Sequence, residues 1–130
     1  MPYLNVDDRY PEHPKIDALT DGAFRLHVAL MAYCARERSD ALVPRRKIPR
    51  LTPNYRPAHL TELLEAGAVH QDGCGTPECP SGKPGHLVVH DYLEWNKSRQ
   101  WWDDKREADA KRLAKWREEQ ARKQADERKV

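Results

Sequence analysis

The chain has 130 residues, of which 38% are hydrophobic and 34% are charged, with a formal net charge of +2 and a mean hydropathy of −0.97. This composition allows one small domain plus a charged segment outside its core. No stretch of 18 consecutive apolar residues is present, which excludes a membrane-spanning helix. The N-terminal sequence lacks a secretory signal pattern, and three cysteines are too few for a disulfide scaffold, so we expect a cytoplasmic protein with reduced thiols.

The charges are unevenly distributed along the chain. Residues 1–96 carry eleven basic and thirteen acidic side chains, whereas residues 97–130 carry twelve and eight. Within the first part, residues 44–57 (PRRKIPRLTPNYRP) hold five basic side chains and no acidic one. Such a local positive patch in an acidic domain is a candidate phosphate-binding surface, although a solvated loop and helix face would have the same pattern.

The first predicted elements are an arm and a central helix. Residues 1–19 contain three prolines and are predicted to be an irregular arm that docks on the domain through Ile16 and Leu19. Residues 20–37 carry apolar side chains at helical spacing over a wide face, which is typical of a helix in the middle of a core.

Two shorter helices are predicted next. Residues 40–43 form a short extended link, and residues 44–51 form a brief second helix that Pro49 makes irregular. Pro57 suits the first turn of a third helix that runs to about Ala66, with its leucines facing the core.

The remainder of the chain is predicted to form a hairpin and a charged helix. Residues 68–71 and 86–93 have strand character, and the Gly/Pro-rich segment between them is typical of a hairpin with an enlarged loop. Residues 97–130 are expected to be a long charged helix or arm with few apolar side chains.

Helix, link, helix, turn, helix and hairpin is the order of a winged helix-turn-helix, so we expect an α+β fold over residues 20–96. The segments KIDALTDGAFRLHVALMAYCARE, LLEAGAV and HLVVHDYLEWNKSR resemble the winged-helix module of actinobacterial phage and mobile-element proteins, which include replication-initiation (replisome-organiser-like) proteins. The resemblance covers about residues 10–100. It implies binding of double-stranded DNA in transcription regulation or replication initiation, and a homodimer is compatible with it.

In such a module the third helix enters the major groove, while the second helix and the wing contact phosphates. Arg56 is the first choice for a base contact, because a guanidinium can reach O6 and N7 of guanine together. The acidic residues Glu62 and Glu65 are expected on the same exposed face, where they would repel phosphates. The candidate DNA-binding residues are Arg45, Arg46, Lys47, Arg50, Asn54, Arg56, His59 and Thr61.

An alternative hypothesis is a winged helix that binds protein. In this case the domain would be an adaptor that docks on host replication or transcription machinery through the C-terminal arm and its tryptophans, since Trp is enriched in interfaces. An enzyme is not expected, because the sequence has no Gly-rich phosphate loop, nucleophile elbow or zinc-protease motif.

Histidines and cysteines are concentrated in the predicted hairpin. Thiolates combined with imidazoles suit tetrahedral Zn²⁺, and a Gly/Pro-rich loop without a core gains from a structural metal. Two free thiols or an oxidised cysteine pair are the alternatives. His90 would lie about 13 Å from His86 on one strand face and is therefore expected to be a packing or hydrogen-bonding residue beside Asp91. The predicted zinc ligands are His70, Cys74, Cys79 and His86.

Overall fold

The computed structural model describes residues 3–72, 74 and 79–128, so part of the predicted hairpin loop, residues 73 and 75–78, lies outside the described residues. The chain divides into two compact units, the first ending at Ser98 and the second beginning at Arg99. The predicted α+β class is confirmed. The described elements are two 3₁₀ helices (Tyr10–Glu12 and Arg45–Arg50), α1 (Pro14–Asp17), α2 (Asp21–Glu37), β1 (Leu42–Pro44), α3 (Pro57–Glu65), β2 (Val69–His70), β3 (His86–Val89), α4 (Tyr92–Trp95) and α5 (Arg99–Arg128).

Helix α2 lies at the centre of the first unit. Thr20 caps its N-terminus through a hydrogen bond from the Ala23 amide to Thr20 Oγ1 (3.4 Å), which satisfies one of the free amides of the first turn. Leu26 and Leu30 are fully buried, whereas Phe24 is only half-buried. The buried face of α2 is therefore centred on Leu26 and Leu30.

The three strands form an antiparallel sheet in the order β1-β3-β2. Strand β3 is central, with Leu87, Val88 and Val89 all buried. Two predictions for this region are wrong in detail. Residues 40–43 were predicted to be a short extended link, but Leu42–Pro44 form strand β1 of the sheet. The strand predicted to reach residue 93 ends at Val89. It ends there because Asp91 adopts a left-handed conformation (φ 54°), which turns the chain into α4.

The predicted second and third helices are both present. The second is a 3₁₀ helix, consistent with Pro49, whose nitrogen cannot donate a hydrogen bond. It is fixed to the core by Ile48, which is 1% exposed. Helix α3 is fixed by Leu63, which is fully buried. These two anchors determine which side chains of residues 45–65 face outward.

The N-terminal segment packs on the rest of the first unit. Residues of this segment and of α4 line a groove with a volume of about 580 Å³. Ile16 lines this groove and is buried. The buried Asn96 side chain accepts the Asn5 amide (2.7 Å) and donates to the Asn5 carbonyl (3.2 Å). Tyr10 stacks on His27 of α2, and its hydroxyl hydrogen-bonds to His27 Nδ1.

The stability of the first unit should fall at acidic pH because of His27. Burial lowers the pKa of His27 from 6.5 to about 4, so the unfolded chain binds this proton more readily than the folded one. The stabilisation is complete above pH 6.5 and is lost as the pH falls towards 4, by roughly 3 kcal/mol in total. Urea unfolding between pH 7 and pH 4.5 measures it.

The control for this measurement is His27→Gln, whose amide does not titrate. The variant should be less stable at pH 7 but should have a shallower pH dependence than the wild type. Parallel pH profiles for the two proteins would show that His27 is not the titrating group.

Helix α5 forms the second unit and has no buried residue. Its surface carries salt bridges one turn apart, including Lys111 to Glu107 (3.2 Å) and Lys105 to Asp109 (3.3 Å). Such pairs contribute a few tenths of a kcal/mol each and suit a solvated helix. Every helix of the described residues is too short or too polar to span a lipid bilayer.

Candidate metal centre and basic surface

Two histidines and two cysteines converge at one end of β3. Their ligand atoms all lie within 4.8 Å of one another. His70 Nε2 lies 2.8 Å from His90 Nδ1, and Cys74 Sγ lies 3.6 Å from the same nitrogen. Tetrahedral zinc with typical bond lengths would hold such atoms about 3.3–3.8 Å apart. The cluster of His70, Cys74, Cys79 and His90, hereafter the His/Cys cluster, could hold a metal ion if the two imidazole nitrogens, 2.8 Å apart here, separate slightly.

The fourth member of the cluster is His90 and not the predicted His86. Strand β2 pairs only with the C-terminal half of β3, with His70 opposite Val88 and Val69 opposite Val89. The sulfurs of Cys74 and Cys79 lie near His70 and His90, and Cys79 is buried. His86 instead lies at the start of β3 opposite Pro44, with its Nδ1 3.0 Å from the Pro84 carbonyl oxygen.

The surroundings of the cluster influence the protonation of its members. Burial raises the pKa of the Cys79 thiol, while hydrogen bonds from the backbone amides of Cys74 and Asp91 act in the opposite direction. Burial also lowers the pKa of His70, and the neighbouring His90 and Lys15 act in the same direction. Neutral imidazole is the form that binds metals, so the setting of His70 favours a ligating state.

The predicted basic residues lie directly after β1 and are exposed; they are hereafter called the basic surface. Three of them, Arg46, Lys47 and Arg50, line a shallow hollow of about 350 Å³. No carboxylate in the described part of the chain forms a salt bridge with any of these cations. The basic surface comprises the exposed cations Arg45, Arg46, Lys47, Arg50 and Arg56, together with the exposed, uncharged Asn54.

A turn of the predicted wing adjoins the basic surface, although no residue of this turn was among the predicted DNA-binding residues. The Arg45 amide donates to the Gly85 carbonyl (2.9 Å), and Pro44 pairs with His86. The exposed Lys83 belongs to this turn, because the His86 amide donates to the Lys83 carbonyl (3.0 Å). Only the pairing of β1 with β3 brings these residues together, and the predicted link at residues 40–43 gave no sign of that pairing.

His59 lies between two helices. Its Nδ1 accepts the Arg56 amide (3.3 Å), so it helps to start α3. Its ring also lies against α2, since a Cβ built on Gly22 would approach His59 Nε2 to 2.2 Å. The structure thus places His59 in the contact between α2 and α3, whereas Thr61 is exposed and donates to the Pro57 carbonyl (3.2 Å).

Glu62 is likewise engaged within the fold. Its carboxylate accepts hydrogen bonds from the Thr20 hydroxyl (2.6 Å) and the Thr20 amide (3.0 Å), which lower the pKa of Glu62. The negative charge therefore lies at the N-terminus of α2, where the helix dipole favours it. The expectation of two unengaged carboxylates beside the basic surface is corrected, and only the exposed Glu65 remains.

Comparison of the chain with protein-family models, curated proteins and solved structures finds no match.

Proposed function

We propose that the first unit is a winged helix-turn-helix module that binds double-stranded DNA. The order of elements supports the fold: α2 is followed by β1, the 3₁₀ helix, α3 and the β2–β3 hairpin, with β3 central in the sheet. In such a module the 3₁₀ helix and α3 are the helix-turn-helix, and the connection between β2 and β3 is the wing.

The observation that carries the DNA-binding proposal is the uncompensated basic surface. Five cations from residues 45–56 are exposed without a salt-bridge partner among the described residues, and Lys83 adjoins them. Holding like charges together without counterions opposes folding, whereas phosphates of a nucleic acid backbone would neutralise them. The hollow between Arg46, Lys47 and Arg50 supplies a concave site for one such phosphate.

Base recognition is assigned to the start of α3. Arg56 precedes the first residue of α3 and is exposed, so its guanidinium can extend beyond the helix end towards the bases. Asn54, two residues before Arg56, and Thr61, in α3, are exposed as well. His59 packs against Gly22 of α2 and so supports this end of α3.

We propose a role in transcription regulation or replication initiation of a phage or mobile element.

The DNA-binding proposal is tested by titrating the protein into labelled random-sequence duplex DNA at several salt concentrations. Each phosphate contact contributes about −0.9 to the slope of log affinity against log salt, so a slope of about −3 or steeper is expected. A slope near zero, or no binding at low salt, would contradict DNA binding.

A second candidate function is supported by α5. Leu113 and Trp116 lie one turn apart and are 47% and 56% exposed, respectively. Exposed apolar side chains on an otherwise charged helix suit a protein interface. In this case the partner would be a host replication or transcription protein. Capture of such a partner by the wild type but not by a Leu113→Ala, Trp116→Ala variant would support the adaptor function.

We further propose that the His/Cys cluster binds a structural Zn²⁺. Two thiolates and two imidazoles are a donor set that zinc takes in closed tetrahedral sites, and four protein ligands leave no position for a substrate. The ion would fix the wing to the ends of β2 and β3. Metal analysis of protein purified without a histidine tag should find one zinc per chain, and a metal-free protein would contradict this proposal.

A further inference from the structure

Asp91 follows His90 directly and contacts it. The Asp91 carboxylate Oδ2 lies 2.9 Å from His90 Nε2, while the other ring nitrogen, Nδ1, faces His70 and Cys74. The two nitrogens of His90 therefore have different partners, one in the His/Cys cluster and one outside it.

This arrangement determines which nitrogen can bind a metal. A ligating imidazole binds through one unprotonated nitrogen, and a hydrogen bond from its other N–H to a carboxylate fixes the tautomer and the ring orientation. With Nε2–H donating to Asp91, the lone pair of His90 Nδ1 points into the cluster. We propose that Asp91 is a positioning residue that holds His90 in this orientation, an inference that rests on the zinc site proposed above.

The backbone of Asp91 supports the same role. Its amide is placed to donate towards the Cys79 thiol and lowers the pKa of that thiol, while its carboxylate contacts His90. The left-handed conformation of Asp91 (φ 54°) is one that aspartate and asparagine tolerate better than most residues. The turn that ends β3 thus places both groups of Asp91 beside the metal ligands.

The test is Asp91→Asn, which keeps the size of the side chain and tolerates the backbone conformation but removes the charge. Titration with Co²⁺, followed by its visible absorption, and competition of Zn²⁺ with a chromophoric chelator measure the affinity. We expect metal binding to weaken by about 10–100-fold, the range typical for loss of an outer-shell partner. The matched control is Asp40→Asn, because Asp40 also has a positive φ (53°) but is not a cluster residue. The metal affinity of this control variant should stay within about twofold of the wild type.

Each outcome bears on a different proposal. Failure of the wild type to bind either metal overturns both the zinc site and the role of Asp91. Equal affinity of the wild type and Asp91→Asn overturns the role of Asp91 alone. If Asp91→Asn does not fold, long-range ¹H–¹⁵N spectra of the zinc-loaded wild type decide: coordination through His90 Nδ1 with a protonated Nε2 supports the proposal, and coordination through Nε2 overturns it.

Discussion

Removal of zinc by a chelator should lower the melting temperature of the protein by about 10–20 °C. A loss of 2–4 kcal/mol of metal-dependent folding free energy corresponds to a shift of this size in a domain of about 100 residues. The reason is local: the connection between β2 and β3 is rich in Gly and Pro, and of its described residues only Cys79 is buried. Differential scanning calorimetry of zinc-loaded and chelated protein measures the shift.

Cysteine variants provide the matched comparison. Cys79→Ser should melt at the temperature of the chelated wild type and should not respond to chelator. Cys34→Ser removes a thiol that is also buried but lies on α2, outside the cluster. That variant should be less stable than wild type yet should still respond to chelator. A zinc-loaded wild type whose melting temperature does not change on chelation would contradict a structural role for the metal.

Replacement of Arg45, Arg46, Lys47 and Arg50 by alanine should weaken binding to random-sequence DNA by at least about a hundredfold at 0.1 M salt. If each residue contacts one phosphate, the salt slope should become shallower by about 3 to 4. The four side chains are exposed and form no salt bridge with another described residue, so the melting temperature should change little. Fluorescence anisotropy at several salt concentrations measures both quantities.

An equal change of charge on α5 is the control. Lys115, Arg117, Arg122 and Lys123 are exposed on that helix, and their replacement by alanine removes four positive charges as well. This control should retain most of the wild-type affinity and slope. If it loses as much as the first variant, binding depends on net charge and not on the basic surface.

The sequence was most informative where structure depends on local pattern. Helices α2 and α3 follow from the spacing of their apolar residues, and the irregular second helix follows from Pro49. Strand β1 has only three residues, and its existence depends on pairing with β3, more than forty positions away. A period of two cannot be recognised in so short a segment, so the prediction of an extended link was the most that the pattern allowed.

The candidate sites likewise combine residues that local sequence identifies with contacts that only long-range packing determines. His70, Cys74 and Cys79 could be identified from composition, but the choice between His86 and His90 depended on the register of β2 against β3. The engagement of Glu62 by Thr20 joins residues 42 positions apart. Such contacts arise from the packing of α2 against α3, which local periodicity does not specify.

If the basic surface contacts DNA, the contact can be mapped residue by residue. Amide ¹H–¹⁵N spectra of the zinc-loaded protein would be recorded during titration with a short duplex. We expect shifts at the amides of Arg45–Arg50, apart from Pro49, and at Asn54 and Arg56, with α5 largely unchanged. Shifts confined to α5, or none at residues 45–56 when the DNA is saturating, would contradict it.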